Sequence, residues 1–133
     1  MEEPLYTSLF KKVDCVRIPV PDLHKGLQFY SDQLGHQLIW QTDDSAGLRL
    51  AHDDSEIVLY TQPKGVEIDF EVDDVDEAAA WFVEAGGQLV TKPFEILIGK
   101  CVVVKDPWDN QYVLLDTSNG LLKTDPEKKV INH

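Results

Sequence analysis

The chain has 133 residues, 43% hydrophobic and 27% charged, values that suit one compact domain with a core of its own. Twelve basic against 24 acidic residues leave a formal net charge of −12, which argues against nucleic acid or an anionic membrane as partner. No apolar run approaches a membrane span, and Met1-Glu2-Glu3-Pro4 lacks the basic start of a secretory signal. Cys15 and Cys101 have no framework spacing, so a cytoplasmic protein with two reduced thiols is the simplest reading.

Residues 1–12 read as a leader whose Leu5, Tyr6, Leu9 and Phe10 can pack on the body or on a second subunit. A strand is expected at 13–20, followed by a helix that Asp22 caps and Leu23, Leu27, Tyr30 and Leu34 line as one buried stripe. Gly35 is placed to end it in the left-handed conformation. Strands then follow at 38–42, 48–52 and 56–61, with Asp53-Asp54-Ser55 connecting the last two. Pro63-Lys64-Gly65 separates the halves.

The second half opens on Val66-Glu67-Ile68-Asp69-Phe70-Glu71-Val72, whose strict alternation specifies a strand with one apolar and one charged face. Asp74 with Glu77 forms a capping box, Val75, Ala79, Phe82 and Val83 make the helical stripe, and Gly86-Gly87 stop it. Strands are expected at 88–91, 99–105 and 111–116, with a turn at Asp106–Asn110. The polar residues 117–133 read as a loosely held tail. Displaced by fifty-two positions, the first strand and helix fall on the second: Val20 on Val72, Asp22 on Asp74, Leu23 on Val75, Gly35 on Gly87. The chain is therefore a duplicated βαβββ unit, with modules at 13–62 and 63–116 forming one domain.

Val20-Pro21-Asp22-Leu23, Phe29-Tyr30 and Leu34-Gly35 in the first half, with Phe70-Glu71-Val72-Asp73-Asp74-Val75, Ala85-Gly86-Gly87, Asp106-Pro107 and Asn110 in the second, carry a resemblance. Over residues 13–116 the chain resembles the vicinal oxygen chelate superfamily of glyoxalase I, bleomycin-binding proteins and extradiol dioxygenases. The resemblance implies an α+β fold in which two tandem βαβββ modules form a curved mixed-sheet cup with helices outside. It also implies a homodimer. Enzymes of the superfamily hold a divalent metal at four strand positions, which fall here on Cys15, Val58, Glu67 and Val113. Two valines cannot ligate, so the resemblance implies a degenerate metal site and no cofactor is expected.

Strand alternation directs Cys15 and Arg17, and Glu67, Asp69 and Glu71, to the concave side; Val58, Tyr60 and Val113 join them. Val16, Ile18, Val20, Ile68 and Phe70 are expected beneath the helices. A few polar groups converging in an apolar lining suit a small-molecule ligand. The bland alternative is that Arg17 merely neutralises Glu67 or Asp69. Trp40, Trp81 and Trp108 are candidates for the rim, and His52 is the histidine nearest the cup.

The leading expectation is a metal-free binder of the glyoxalase/bleomycin-resistance type, sequestering a small polar or cationic ligand through Cys15, Arg17, Val58, Tyr60, Glu67, Asp69 and Val113. The alternative is a glyoxalase- or dioxygenase-like enzyme (a lyase, isomerase or oxidoreductase) using a divalent metal or Glu67 as general base. A third is a scaffolding dimer with an empty cup.

Overall fold

The protein is described over residues 8–131 by a computed structural model. The elements run β1 (Lys12–Pro19), α1 (Leu23–Leu27), β2 (Leu38–Gln41), β3 (Ser45–Arg49), β4 (Glu56–Tyr60), β5 (Glu67–Glu71), α2 (Val75–Glu84), β6 (Gln88–Leu89), β7 (Phe94–Ile96), β8 (Gly99–Lys105) and β9 (Gln111–Leu115). All nine strands join one mixed sheet in the order β2-β3-β4-β1-β5-β9-β8-β6, with β7 also paired to β8. Each opening strand is flanked by the last strand of its own module in parallel, β4 beside β1 and β9 beside β5. The two opening strands pair with each other antiparallel. This is the expected pair of βαβββ modules, laid side by side within one chain.

The pairing of β1 with β5 carries the internal symmetry. Cys15 lies opposite Asp69, Val16 opposite Ile68, and Arg17 opposite Glu67. The fifty-two-residue displacement exchanges the first and last of these pairs, so a pseudo-twofold axis passes beside Val16 and Ile68. A register shift between Val13 and Cys15 marks a bulge at Asp14.

Both helices begin as expected: Asp22 accepts from the Lys25 amide and Asp74 from the Glu77 amide, each at 2.9 Å. The first one then departs from expectation. After Leu27 it widens into a π-helical stretch, Gln28–Gln33. The wider turn takes Leu23, Leu27, Tyr30 and Leu34 out of phase, and Leu34 ends 52% exposed instead of completing a buried stripe. Contact with the sheet is made by buried Gly26, against Val20 and Leu59. Gly35 and Gly86 take the left-handed conformation at φ 84° and 114°, so Gly86, not Gly87, is the counterpart of Gly35.

Several other boundaries are corrected. Strand β3 sits at Ser45–Arg49 rather than 48–52, because the Thr42 hydroxyl bonds to Ser45 and shortens the preceding turn. Strand β6 ends at Leu89, since the Val90 and Thr91 amides both turn onto the Val103 carbonyl. Strand β7 was not expected. In the Asp106–Asn110 turn, Asp109 adopts φ 70° while the Asp106 carboxylate accepts from Trp108 and Asn110, so the turn holds without glycine.

One core lies between α2 and the sheet, built from Val72, Val75, Ala78, Ala79, Phe82, Val102, Val104 and Leu114. Leu9 and Phe10 pack against it, with Phe10 stacked 4.4 Å from Phe70; Leu5 and Tyr6 fall outside the described residues. Between the helices the sheet's outer face is less covered than expected: Val16, Ile18, Val20 and Phe70 are half-buried and Ile68 is exposed. No described helix is long and apolar enough to cross a membrane.

The segment after β9 is not a loose tail. Asp125 Oδ1 accepts from the Glu127 and Lys129 amides and shapes a turn, across which Thr124 bridges Val130. The turn docks on the free edge of β2: the Gln41 amide donates to Lys128 O at 2.8 Å and the Val130 amide to Gln41 O at 3.0 Å. A polar composition conceals this because the partners are backbone groups, which every residue type supplies.

Candidate functional site

The concave face encloses a cavity of about 670 Å³. Cys15, Arg17, Val58, Tyr60, Glu67, Asp69 and Val113 all line it; Glu71, expected beside them, does not. Register explains the grouping. One row across the sheet runs Glu56, Cys15, Asp69, Val113 over strands β4, β1, β5 and β9. The next runs Val58, Arg17, Glu67. Neighbouring strands sit about 4.8 Å apart and the two rows about 7 Å apart, so each polar group has its nearest polar neighbour on the adjoining strand.

Asp69 is the centre of the site. It is only 6% exposed, and its Oδ1 is buried with no hydrogen-bond partner. The Cys15 thiol donates to Oδ2 at 3.5 Å. Burial pushes the Asp69 carboxyl up from 3.8 to about 8, and the neighbouring Glu67 carboxyl pushes the same way. Arg17 opposes the shift without cancelling it.

Arg17 is the cation of the site. Its Nε lies 3.7 Å from Glu67 Oε2, and its guanidinium carbon sits 4.8 Å from the centre of the Tyr60 ring. The Tyr60 hydroxyl donates to Gly65 O at 2.6 Å, fixing the ring that Arg17 covers. The ion pair expected as the bland reading is therefore present. It engages Glu67 and leaves Asp69 Oδ1 unpartnered.

Four features escaped the sequence reading. The bulge at Asp14 brings that side chain to the cavity beside Cys15, which strict alternation forbids. Glu56 also lines it, accepting from the Trp40 indole at 2.8 Å. Burial is the first cause raising both the Asp14 and the Glu56 carboxyls. Cys101, Phe94 and Ile96 supply an apolar wall from the second module, and Leu121, Leu122, Thr124 and Val130 come from the C-terminal segment. Period two was available as a signal for Cys101, with Val103, and for Glu56, with Val58 and Tyr60; the others had none. Trp40 reaches the cavity, whereas Trp81, Trp108 and His52 do not line it.

Neither thiol is set up as a nucleophile. Burial is the first cause raising both, with the charge of Asp69 next; Cys101 is pushed up to about 12 and Cys15 further. At the four strand positions where the superfamily holds a metal, the donor set is incomplete. Val58 and Val113 offer methyl groups, and the thiol at Cys15 is spent as a donor to Asp69. Among the described residues no three His, Cys, Asp or Glu side chains gather in metal-binding geometry.

Comparison with known proteins places this geometry. The chain is similar to methylmalonyl-CoA epimerase from Mycobacterium tuberculosis at 20% identity, with a TM-score of 0.74 over 86% of this chain and 93% of that one. A structure described as an NAD-dependent benzaldehyde dehydrogenase from Legionella pneumophila matches at 20% identity and TM-score 0.66, over 78% and 98%. Homoprotocatechuate 2,3-dioxygenase from Brevibacterium fuscum matches at 24% identity and TM-score 0.64, over 84% of this chain but 38% of its own length. At these identities the likeness shows a shared fold. No curated protein matches by sequence. Residues 12–114 match the model of the Glyoxalase/Bleomycin resistance protein/Dioxygenase superfamily, and the chain belongs to that superfamily.

Proposed function

We propose that the cup is the active site of a metal-independent acid–base enzyme of the isomerase or lyase class, acting on a small polar substrate with an acidic C–H beside a carbonyl. The observation that carries this reading is the buried Asp69 carboxyl, shifted toward neutrality beside Glu67 with one oxygen unpartnered. A carboxyl with such a pKa, in a cavity and next to a second carboxyl, is poised to exchange protons near pH 7. Glu67 takes the proton from carbon while the electron pair moves onto the carbonyl oxygen, which receives a proton from Asp69. Glu67 then returns its proton to a different carbon or face of the enol as the enol hydroxyl gives its proton back to Asp69, which regenerates the carbonyl and both carboxyl groups. Arg17 holds Glu67 in place and partly offsets charge as it develops. Two of the similar structures, named an epimerase and a dioxygenase, are enzymes, which supports catalysis over passive retention.

The second reading is retention of a polar or cationic guest without chemistry, favoured by the valines at 58 and 113. Incubation in D₂O with a panel of small 2-oxo acids and thioesters separates the two. Chelator-treated protein is expected to promote deuterium incorporation at the α-carbon, seen by NMR, and Glu67→Gln to lower that rate about 100-fold or more. Guests that bind without exchanging would leave retention as the function. Homodimeric assembly belongs to this reading, supported by the exposed Ile68 and Phe29 on the outer face and checked by sedimentation. A cytoplasmic setting is supported by two free thiols.

A further inference from the structure

The cup has a fourth wall that neither module supplies. After β9 the chain is anchored on the second-module side, where the Asn119 amide donates to Ile98 O at 2.8 Å and Ser118 bonds the Asp116 carboxylate. It then crosses to the opposite edge of the sheet, where residues 128 and 130 bond Gln41 of β2. Ten residues, 119 to 128, would reach about 33–36 Å only if fully extended, and the turn in which the Lys128 amide bonds Asp125 O shortens that reach. The six strand spacings from β8 to β2 measure about 29 Å along a flat sheet. A folded segment therefore joins the two edges only because the sheet is curled, and it crosses the open side of the cup. Leu121, Leu122, Thr124 and Val130 line the cavity from this segment.

The two ends of the crossing are built differently. At the near end, Asp116 is 3% exposed and accepts from the amides of Val75, Lys100 and Ser118, which ties the chain to α2 and β8. Gly120 follows at φ 90°. At the far end, the bonds that join the segment to β2 among the described residues are the two Gln41 backbone bonds and an exposed one from Gln41 Nε2 to Glu127 O at 3.2 Å, where a hydrogen bond adds little net stability. One end is a fixed anchor and the other a weak latch.

We propose that residues 119–130 form a strap that gates the cup, pivoting beside Gly120 and released by parting from Gln41, and that its Leu121 and Leu122 cover an apolar part of the guest. The proposal holds whether the cup catalyses or only retains its guest. It also explains why a cavity opening beside an edge strand is lined from a segment outside both modules. Local opening of this kind draws on the least stable contacts of a fold.

Cys15 and Cys101 are buried, free and on the cavity wall, so they report on the gate without any ligand. In the full chain at pH 7.5 without denaturant, N-ethylmaleimide is expected to label both thiols slowly. Asp125→Ala, which removes the acceptor that shapes the turn, should accelerate labelling at least fivefold. Gln41→Pro, which deletes the latch donor on an edge strand, should do the same. The urea midpoint should stay near the wild-type value in at least the Asp125 variant, and hydrogen exchange at Val130 should rise in step with labelling. Unchanged labelling despite faster exchange at Val130 would overturn the gate. So would labelling that rises only in proportion to lost global stability.

Discussion

The two modules share a backbone and have opposite linings. On the outer face the matched positions keep their character, Val20 with Val72 and Leu23 with Val75, because each must pack against its own helix or strand. On the concave face the matched pairs diverge: Cys15 with Glu67, Arg17 with Asp69, Tyr60 with Leu115. The first module contributes the cation, the aromatic ring and the Trp40–Glu56 pair, while β7, β8 and β9 contribute an apolar wall. Packing constrains one face of each strand and leaves the other open to chemistry. A site with distinct ends has thereby been built on a symmetric frame.

The largest test of this comparison lies just past the last strand of each module, where Asp116 matches Thr61. Asp116 accepts four hydrogen bonds in a buried setting; Thr61 is a surface residue bonded to Asp44. Asp116→Ala is expected to cost about 3–4 kcal/mol in urea unfolding, and Thr61→Ala less than about 0.5 kcal/mol. Equal costs would mean that the modules are closed in the same way.

Next come the two buried aspartates, whose pH signatures are opposite. Burial alone would raise the Asp116 carboxyl, but the Val75 amide, Ser118 and the Lys100 amide more than offset it, and the group is held below its ordinary range. Its contribution is present above pH 3.8 and lost as pH falls further. Asp69 is raised, so the folded state binds more protons than the unfolded one between pH 3.8 and about 8, and stability falls as pH rises through that window. Asp69→Asn should flatten this slope and leave the protein about 1–3 kcal/mol more stable than wild type at pH 8. A wild-type curve rising from pH 5 to 8 would place the ionised form of Asp69 in the fold and remove the proposed acid.

The smallest effect tests the pairing peculiar to the first module. Trp40→Phe retains the ring and loses the bond to Glu56, costing about 1 kcal/mol, and should raise the Glu56 carboxyl further because that bond opposes its burial. Titration of the Glu56 carboxyl by NMR checks the direction.

Much of this was legible from the residues alone. Alternation around Glu67 and Asp69, the Asp22 and Asp74 caps and the glycine stops fixed the duplicated unit, because each is a local signal with one dominant cause. The side of the sheet taken by the seven candidate site residues followed from period two. What escaped depends on contacts distant in sequence or on one-residue irregularities. The bulge at Asp14 breaks parity, the π-helical turn after Leu27 breaks the helical stripe, and the Thr42 side chain moves β3 by three residues. The pairing of residues 128–130 with β2 is invisible because nothing in Gln41 or Lys129 distinguishes a strand edge that is covered from one that is not. The shift on Asp69 is likewise a product of burial, which alternation locates on a face but does not measure.

The place of β1 has a consequence for how the chain assembles. Both of its neighbours are distant in sequence, Cys15 meeting Glu56 on one side and Asp69 on the other. Strands β2, β3 and β4 meander locally, as do β8 and β9, so loop closure favours them earlier in folding. Strand β1, whose two partners are both distant in sequence, is expected to dock after these local pairs have formed. Refolding should be slow for a chain of this length, and substitutions in β1 should speed unfolding more than they slow folding.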